Sequence, residues 1–320
     1  MATSASSDMR YALLPGLGRD VSRLILGTVS FRDDSLEPAF ALLDRWVELG
    51  GNLVDCAHEY GYGSSERALG RWLRDRDARE RLMVLTKGAH PYDGRRRVRA
   101  DDITADLEDS LERLGVAVVD LLLLHRDDAE VPVGPLLETL NEHRAAGRIR
   151  AFGASNWSTE RLAAAAAYAA DHDLEPFTCS SSQLSLAAPN EPAYAGTVSA
   201  PDAASRAWYA RTQLPLLAWS SQAGGFFTDV ARGDDEAARR LEHVYGGPAN
   251  HERRRRAALL GRERGCTTNA IALAWVLHQP FPTFAIVGPR TVAELDSTVE
   301  GIDVELSPDE VAWLNLDAED

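Results

Sequence analysis

The sequence contains few cysteines and no long apolar segment. Only three of its 320 residues are cysteines, and Cys56, Cys179 and Cys266 are scattered without a CxxC pair. A disulfide framework and a structural zinc site are therefore not expected, and a reducing compartment fits. No run of about 18 apolar residues occurs, so no membrane-spanning helix is predicted. Residues 1–9 are small and polar without the apolar core of a secretory signal, so we expect a flexible tail.

Positive charge is also in short supply. The chain has 34 Lys and Arg against 49 Asp and Glu, a formal net charge of −15. An acidic surface repels phosphate backbones, so nucleic acid is not an expected partner. The net charge does not indicate what the protein binds, and the sequence leaves the oligomeric state open.

Several short motifs are missing as well. Gly16-Leu17-Gly18 and Gly61-Tyr62-Gly63 are too short for a dinucleotide fingerprint, and we interpret both as turns. No GxxxxGK[ST] phosphate loop occurs. The eight histidines include no HExxH motif, so a metal-dependent barrel hydrolase is poorly supported and no metal site is predicted.

What is present is a regular alternation of short apolar runs and helical patterns. The predicted strands are Leu24–Leu26, Asn52–Asp55, Met83–Lys87, Asp120–Leu124, Arg150–Gly153, Thr178–Gln183, Leu214–Ala218 and Thr283–Val287. The predicted helices are Glu37–Leu49, Asp102–Leu114, Val133–Ala146, Thr159–Ala170, Asn269–Leu277 and Val292–Val299. Eight strands alternating with helices indicate a parallel sheet, and at this length a closed (β/α)8 TIM barrel is more economical than an open doubly wound sheet.

The remaining segments fit around such a barrel. Arg10–Asp20 is predicted to be a short N-terminal hairpin. Pro189–Pro201 and Thr228–His251 are long, polar insertions, which we interpret as loops of the C-terminal half. No linker is visible, so residues 1–320 are treated as one domain.

Polar or titratable residues follow the predicted strands, at the end where barrel enzymes carry their active sites. Asp55, Lys87 and His125 end three consecutive strands, and Tyr60 lies in the loop after the first of them. A tyrosine has a pKa near 10, and a neighbouring ammonium lowers it. A carboxylate can hold that lysine, while a neutral histidine can orient a reacting oxygen. Together these groups can supply the proton and the polarisation that carbonyl reduction needs.

The same residues carry a family resemblance. Asn52-Leu53-Val54-Asp55-Cys56-Ala57-His58-Glu59-Tyr60-Gly61 resembles the aldo-keto reductase signature, with an aspartate five positions before the catalytic tyrosine. Leu85-Thr86-Lys87, Leu123-Leu124-His125-Arg126 and Gly153-Ala154-Ser155-Asn156-Trp157 resemble further motifs of that family in the same order. The resemblance runs from about Leu24 to the end of the chain. It implies a (β/α)8 barrel, a cytoplasmic location and NAD(P)(H)-linked oxidoreduction of aldehydes, ketones or sugars.

The resemblance also implies a role for individual residues. Asp55, Tyr60, Lys87 and His125 would be catalytic, with Tyr60 as general acid. Trp219 would stack on the nicotinamide and three polar residues would hold its carboxamide: Ser155, Asn156 and Gln183. The rest of the cofactor site is assigned to position 29 (Val29, beside Thr28), Ser220, Gln222, Gly224, Gly288, Arg290, Thr291 and Glu294.

The strand-eight region departs from the family pattern. Many relatives carry a basic residue or Gln at the position of Glu294, and Glu-Asn at the position of Ser297-Thr298. A carboxylate near an adenosine 2′-phosphate would repel it, whereas Arg290 favours a phosphate. The resemblance implies NADP(H) as the favoured cofactor, and Glu294, which could accept a hydrogen bond from a free 2′-hydroxyl, leaves NAD(H) as an alternative.

The sequence indicates the substrate less directly than it indicates the reaction. Residues expected at the mouth of the barrel are Phe31, His58, His90, Arg126 and Trp157. Their polarity favours a hydroxylated carbonyl compound such as a sugar over a steroid. The alternative function is a non-catalytic, cofactor-binding regulatory subunit of the same fold, which would have little reason to keep the four catalytic residues.

Overall fold

Eight parallel strands close into a barrel in the computed structural model, which describes residues 9–92, 94–229 and 235–317. The barrel strands are β3 (Leu24–Gly27), β4 (Leu53–Asp55), β5 (Met83–Gly88), β6 (Val119–Leu124), β7 (Ile149–Ser155), β8 (Ser180–Ser181), β9 (Leu216–Ala218) and β10 (Thr283–Val287). They pair in the order β10-β3-β4-β5-β6-β7-β8-β9, and β9 pairs with β10 to complete the circle. The predicted (β/α)8 fold is thus confirmed.

Helices surround the barrel. Those of the described residues are α1 (Leu36–Glu48), α2 (Ser64–Asp75), α3 (Ala100–Leu114), α4 (Val133–Ala145), α5 (Thr159–Asp171), α6 (Ala203–Thr212), α7 (Glu236–Tyr245), α8 (Pro248–Arg264), α9 (Thr268–Leu277), α10 (Val292–Glu300) and α11 (Pro308–Leu314). The predicted end signals operate as expected: Ser158 caps α5 by accepting from the Arg161 N–H, and Gly115 ends α3 with φ +67°.

The prediction of a loop over Thr228–His251 is wrong for much of its length. This segment contains α7 and the start of α8, while residues 230–234 lie outside the described part. Asp235 caps α7 by accepting from the Ala238 N–H, and Leu241 and Tyr245 of this helix are buried in the core. The few apolar residues of α7 are sufficient because only one narrow face packs against the barrel. Pro189–Pro201, by contrast, contains no helix.

A two-strand antiparallel hairpin closes the amino-terminal end of the barrel. It pairs β1 (Tyr11–Ala12) with β2 (Val21–Ser22), as predicted. Leu14 and Leu17 at its tip join the apolar cluster inside the barrel. Gly16 between them has φ +85°, and a Cβ there would lie 2.9 Å from the Ala151 Cβ, so this turn needs glycine.

The predicted flexible tail, residues 1–9, lies outside the described residues apart from Met9. The Met9 side chain is buried in the core cluster between strands and helices. Met9 itself is therefore not part of a flexible tail, and the prediction for residues 1–8 stays a prediction. Among the described residues, no helix combines the length and apolar character needed to cross a membrane.

Candidate active site

Alternation along the strands brings the candidate residues to the inside of the barrel. Leu121 and Leu123 of β6 belong to the interior cluster, whereas Leu122 and Leu124 pack outward against the helices. His125 is the next residue of the inward series and is buried just beyond the end of β6. The two-residue repeat of a strand thus aims the imidazole at the carboxyl end of the barrel.

The same repeat positions a buried ion pair on β4 and β5. Asp55 follows the interior residue Leu53, and Lys87 follows the interior residue Leu85. Both charged side chains are only 3% exposed, and the Lys87 ammonium pairs with an Asp55 carboxylate oxygen. Charges this deep are stable only when paired and hydrogen-bonded.

Tyr60 reaches this pair from the loop after β4. The Lys87 Nζ donates to the Tyr60 Oη at 3.0 Å and to the carbonyl oxygen of Cys56 at 3.0 Å. The Tyr60 hydroxyl lies 3.4 Å from the Asp55 Oδ2, and its ring lies 5.8 Å from the His125 ring, centroid to centroid. The four residues predicted to be catalytic therefore converge on one point.

The ammonium at the centre of this group keeps its charge. Burial lowers the pKa of Lys87, but attraction to Asp55 and Tyr60 and hydrogen bonds to both outweigh it and raise that pKa to about 12. For Asp55, burial raises the pKa by more than the neighbouring ammonium lowers it. A carboxylate facing a permanently charged lysine is what fixes the ammonium beside the phenol.

The expected lowering of the Tyr60 pKa is not found. Burial and the Asp55 charge raise the pKa of Tyr60 to about 12, although Lys87 acts in the opposite direction. Desolvation of the phenolate outweighs the attraction of the ammonium. At neutral pH Tyr60 is consequently a protonated phenol that can donate a proton.

His125 is a neutral imidazole. Burial, aided by the charges of Lys87 and Arg126, holds its pKa well below the usual value of 6.5. Its Nδ1 is buried and has no hydrogen-bond partner among the described residues. A neutral ring with an unused nitrogen can hydrogen-bond a bound molecule.

A second buried network supports Lys87 from the outside of β5. Thr86 faces outward and donates from its hydroxyl to the Glu66 Oε1 at 2.6 Å. Glu66 is fully buried on α2, and Arg113 of α3 donates to its other oxygen at 3.3 Å. Sequence analysis missed Glu66 because a lone glutamate in a polar helix looks like a solvated one. This network fixes the strand that carries Lys87.

Polar groups suited to a carboxamide lie beyond β7 and β8. The Gln183 Oε1 and the Trp219 Nε1 are buried without a hydrogen-bond partner among the described residues. The Ser155 Oγ accepts from the Asn156 Nδ2 at 3.0 Å, which leaves its own hydroxyl proton free to donate. Asn156 also donates to the His125 carbonyl oxygen and accepts from the Val198 N–H. Asn156 thus has both amide atoms engaged, whereas the Gln183 Nε2 donates to the Ser185 Oγ at 2.7 Å and its Oε1 has no partner among the described residues.

The loop after β9 is a tight series of turns with positive φ angles. Ala223, Gly224 and Gly225 have consecutive positive φ angles, and Ser220 also has φ +50°. Ser221 ties this loop to β10 by donating to the Ile286 carbonyl oxygen at 2.8 Å. Gln222 is partly exposed beside it. The Ala223 and Gly225 N–H groups donate within the loop, to the Ser220 and Gln222 carbonyl oxygens at 2.8 and 3.0 Å, so phosphate binding here stays a prediction.

The segment after β10, the eighth strand of the barrel, already has a carboxylate at the start of a helix. Thr291 caps α10 by accepting from the Glu294 N–H, and the Glu294 Oε2 accepts from the Arg290 N–H at 2.7 Å. Gly288 is exposed, with open space where a Cβ would stand. The Glu294 carboxylate therefore lies at the N-terminus of α10, the position that a bound phosphate would favour.

The residues predicted to line the mouth fall into two groups. His90 and Arg126 lie at the site: the His90 ring is 4.8 Å from the His125 ring, and Arg126 donates to the His125 carbonyl oxygen at 2.9 Å. Phe31 and Trp157 are buried in the core, where Trp157 packs on Phe177.

Two further residues differ from their predicted surroundings. The His58 Nε2 pairs with Asp109 of α3 at 3.0 Å, so its imidazole is held by a helix. Thr28 is buried against Ser65 and the Asp55 carbonyl oxygen, whereas Val29 is 56% exposed.

An exposed aromatic rim, which sequence analysis did not predict as a unit, surrounds the mouth. Tyr62, Tyr92 and Tyr194 follow β4, β5 and β8, and each is about half exposed or more. Tyr62 meets Tyr92 edge to face, and the Tyr194 ring lies 6.3 Å from Trp219. Among the described residues, no group of three or more His, Cys, Asp or Glu side chains could hold a metal ion.

Comparison with known proteins agrees with this geometry. The model of the aldo/keto reductase family matches residues 23–315. A norsolorinic acid reductase of Emericella nidulans is 30% identical over 93% of this chain and 79% of its own length. An uncharacterised oxidoreductase of Bacillus subtilis is 28% identical over 96% of this chain and 95% of its own.

Among solved structures, a thermostable aldo-keto reductase crystallised with the inhibitor epalrestat superposes with a TM-score of 0.72. It is 23% identical and the match covers 96% of this chain and 99% of that one. The chain belongs to the aldo/keto reductase family, and family and fold together make it an oxidoreductase.

Proposed function

We propose that this chain catalyses reversible hydride transfer between a nicotinamide dinucleotide and a carbonyl or alcohol group, with Tyr60 as general acid and base. The observation that carries the proposal is the 3.0 Å contact between the Lys87 Nζ and the Tyr60 Oη, with Asp55 behind the lysine and His125 beside the tyrosine. A protonated phenol next to a fixed ammonium can donate a proton and stabilise the phenolate that remains.

The roles of the four residues follow from their charges. Tyr60 donates its proton to the carbonyl oxygen of the substrate. Lys87 stabilises the phenolate formed, and Asp55 holds Lys87 in position. His125 is neutral, so it orients the same oxygen by a hydrogen bond without competing as an acid.

The unpartnered polar atoms fit a nicotinamide carboxamide. The Gln183 Oε1 can accept a hydrogen bond from the NH2 group of the carboxamide, and the Ser155 hydroxyl can donate one to the carboxamide oxygen. Trp219 offers an indole face for stacking. When bound, the dinucleotide supplies the hydride; the chain orients the carbonyl and excludes water. Arg290, Ser220, Gln222 and Gly224 are the residues that we expect to contact the phosphates, and cytoplasmic location stays a prediction.

The substrate that we propose is a small aldehyde or ketone. The rim of Tyr62, Tyr92 and Tyr194 supports aromatic carbonyl compounds over sugars, because exposed aromatic rings at a pocket mouth favour flat apolar ligands. The relative from Emericella nidulans is named a reductase, which agrees with the direction of reaction expected from a protonated Tyr60.

A fluorescence titration tests cofactor binding. NADPH and NADH are each expected to quench tryptophan emission with saturation, and Trp219→Phe is expected to lose a large part of that quenching. Because the chain has seven tryptophans, the difference between the two proteins assigns the signal to the site. Absence of saturable quenching with either dinucleotide would contradict the proposal.

Glu294→Gln tests which dinucleotide is preferred. The amide keeps an acceptor for the Arg290 N–H but removes a negative charge beside the proposed 2′-phosphate position. We expect NADPH to bind about three- to fivefold tighter and NADH to change little, since an exposed charge contributes up to about 1 kcal/mol. Equal effects on both dinucleotides would place Glu294 away from the 2′-position.

The pH dependence of the reaction tests the acid. Tyr60, with a pKa of about 12, stays protonated through the neutral range, and His125 stays neutral. Carbonyl reduction should therefore have a flat kcat/KM from about pH 6 to 9. Alcohol oxidation needs the phenolate and should accelerate up to about tenfold per pH unit over the same range. Initial rates in both directions would show this; a reduction rate that falls near pH 7 would point to a different proton donor.

A further inference from the structure

Arg126 differs from the arginines around it because it forms no ion pair with any described residue. The two acidic residues next to it in sequence are committed elsewhere. Asp127 pairs with Arg161 at 3.1 Å, and Asp128 pairs with Arg96. In a chain of net charge −15, a half-buried guanidinium without a carboxylate is unusual.

The guanidinium of Arg126 acts on the reaction centre. Its Nη1 donates to the His125 carbonyl oxygen at 2.9 Å. Besides burial, its positive charge contributes to the low pKa of both His125 and His90. Tyr60 in turn acts electrostatically on Arg126, whose own pKa is lowered by burial. The cation thus lies within interaction range of the proton donor.

A structural role for this cation is largely redundant. The His125 carbonyl oxygen also accepts from the Asn156 Nδ2 at 3.1 Å, so it stays satisfied without Arg126. No described acceptor takes the remaining guanidinium N–H groups.

The loop after β8 passes close to the stem of Arg126. Gly196 has φ +70°, and a Cβ on it would lie 3.7 Å from the Arg126 Cδ. Thr197 closes this turn by donating from its hydroxyl to the Tyr194 carbonyl oxygen at 2.7 Å. The loop backbone therefore runs beside the aliphatic part of the arginine.

We propose that Arg126 binds a carboxylate of the substrate, which makes carbonyl compounds that carry a carboxylate the preferred substrate class. This inference rests on the proposed function, because the carboxylate is recognised while the carbonyl lies at Tyr60. A guanidinium presents parallel N–H donors that match the two oxygens of a carboxylate. The ligand supplies the negative charge that the chain itself does not place beside Arg126.

Matched substrate pairs test the proposal. The 2-, 3- and 4-formylbenzoates and their methyl esters are reduced by the full chain with saturating reduced dinucleotide, so that each pair differs only in the charge. We expect one carboxylate isomer to exceed its ester in kcat/KM by about 10- to 100-fold, the range of a charge-assisted hydrogen-bonded pair. Arg126→Met should abolish this preference by raising KM for the carboxylate about 10- to 100-fold more than KM for its ester. Arg126→Lys should retain an intermediate preference, since a lysine keeps the positive charge but lacks the parallel N–H donors of a guanidinium.

Arg211→Met is the matched control. It removes the same charge from the exposed side of α6 and should leave both substrates unchanged. Equal loss of carboxylate and ester turnover in Arg126→Met would assign Arg126 a structural role and overturn the proposal. So would a wild-type enzyme that treats each pair alike.

A binding measurement separates this inference from the proposed function. Benzoate, compared with benzamide, should raise the thermal midpoint of the wild-type chain but not that of Arg126→Met. If no aldehyde is reduced and benzoate still stabilises through Arg126, the proposed reaction is wrong and the carboxylate site is supported. If the esters are reduced and benzoate has no effect specific to Arg126, the carboxylate proposal is wrong and the reaction is supported.

Discussion

Tyr60→Phe is expected to lower kcat for carbonyl reduction by about 10³-fold. A positioned general acid contributes about 10²- to 10⁴-fold, and the variant removes the only hydroxyl of this side chain while keeping its ring. The phenol is the group that the Lys87 Nζ contacts at 3.0 Å, so the proton and the stabilisation of the phenolate disappear together. Initial rates with a reactive aromatic aldehyde, at saturating dinucleotide and substrate, measure the effect.

The control for this variant is Tyr168→Phe. Tyr168 also loses a hydrogen-bonded hydroxyl, in this case to Glu138, but it lies between α4 and α5 on the outside of the barrel. Its turnover should stay within twofold of wild type. Quenching of tryptophan emission by the dinucleotide should be intact in Tyr60→Phe, which separates loss of chemistry from loss of binding. If Tyr60→Phe keeps its turnover, another group donates the proton, and the assignment of Tyr60 as general acid is wrong.

Much of the barrel could be predicted from the sequence because the strand pattern is strong. Leu121–Leu124 is an unbroken apolar run, as expected for a strand buried on both faces. Its alternation also predicts which residues face inward. Counting by twos from Leu121 reaches His125, and counting from Met83 reaches Lys87. This count is an independent signal for the site that could be applied to each strand without any resemblance.

What could not be predicted depends on tertiary contacts. The pKa of Tyr60 was expected to be lowered by Lys87, yet burial and Asp55 outweigh that effect, and burial is not readable from the sequence. His58 was placed at the mouth, but a carboxylate 51 residues away, Asp109, engages its imidazole. The first turn of α8 lies within the segment predicted to be a loop, Thr228–His251, because α8 has little apolar periodicity.

The buried pair of Asp55 and Lys87 gives the second large effect. Lys87→Met should lower kcat by about 10²- to 10³-fold, because the ammonium that stabilises the phenolate is lost. It should also destabilise the fold by about 3–5 kcal/mol, since the Asp55 carboxylate stays buried without a cation. Denaturant midpoints followed by circular dichroism, together with initial rates, measure the two consequences in one preparation.

Adding Asp55→Asn to Lys87→Met separates stability from activity. The double variant replaces the ion pair by neutral groups of similar volume, and a neutral replacement of a buried pair is often close to neutral in stability. The denaturation midpoint should therefore recover by more than half of the loss, while kcat should not recover at all, because the phenolate of Tyr60 still lacks its cation.

A double variant as unstable as Lys87→Met would mean that Asp55 is protonated beside the methionine and that its burial costs little stability. A double variant that regains activity would mean that the cation stabilises the strand and not the chemistry. Recovery of stability alone is the result that makes Asp55 a positioning residue and Lys87 a participant in proton transfer.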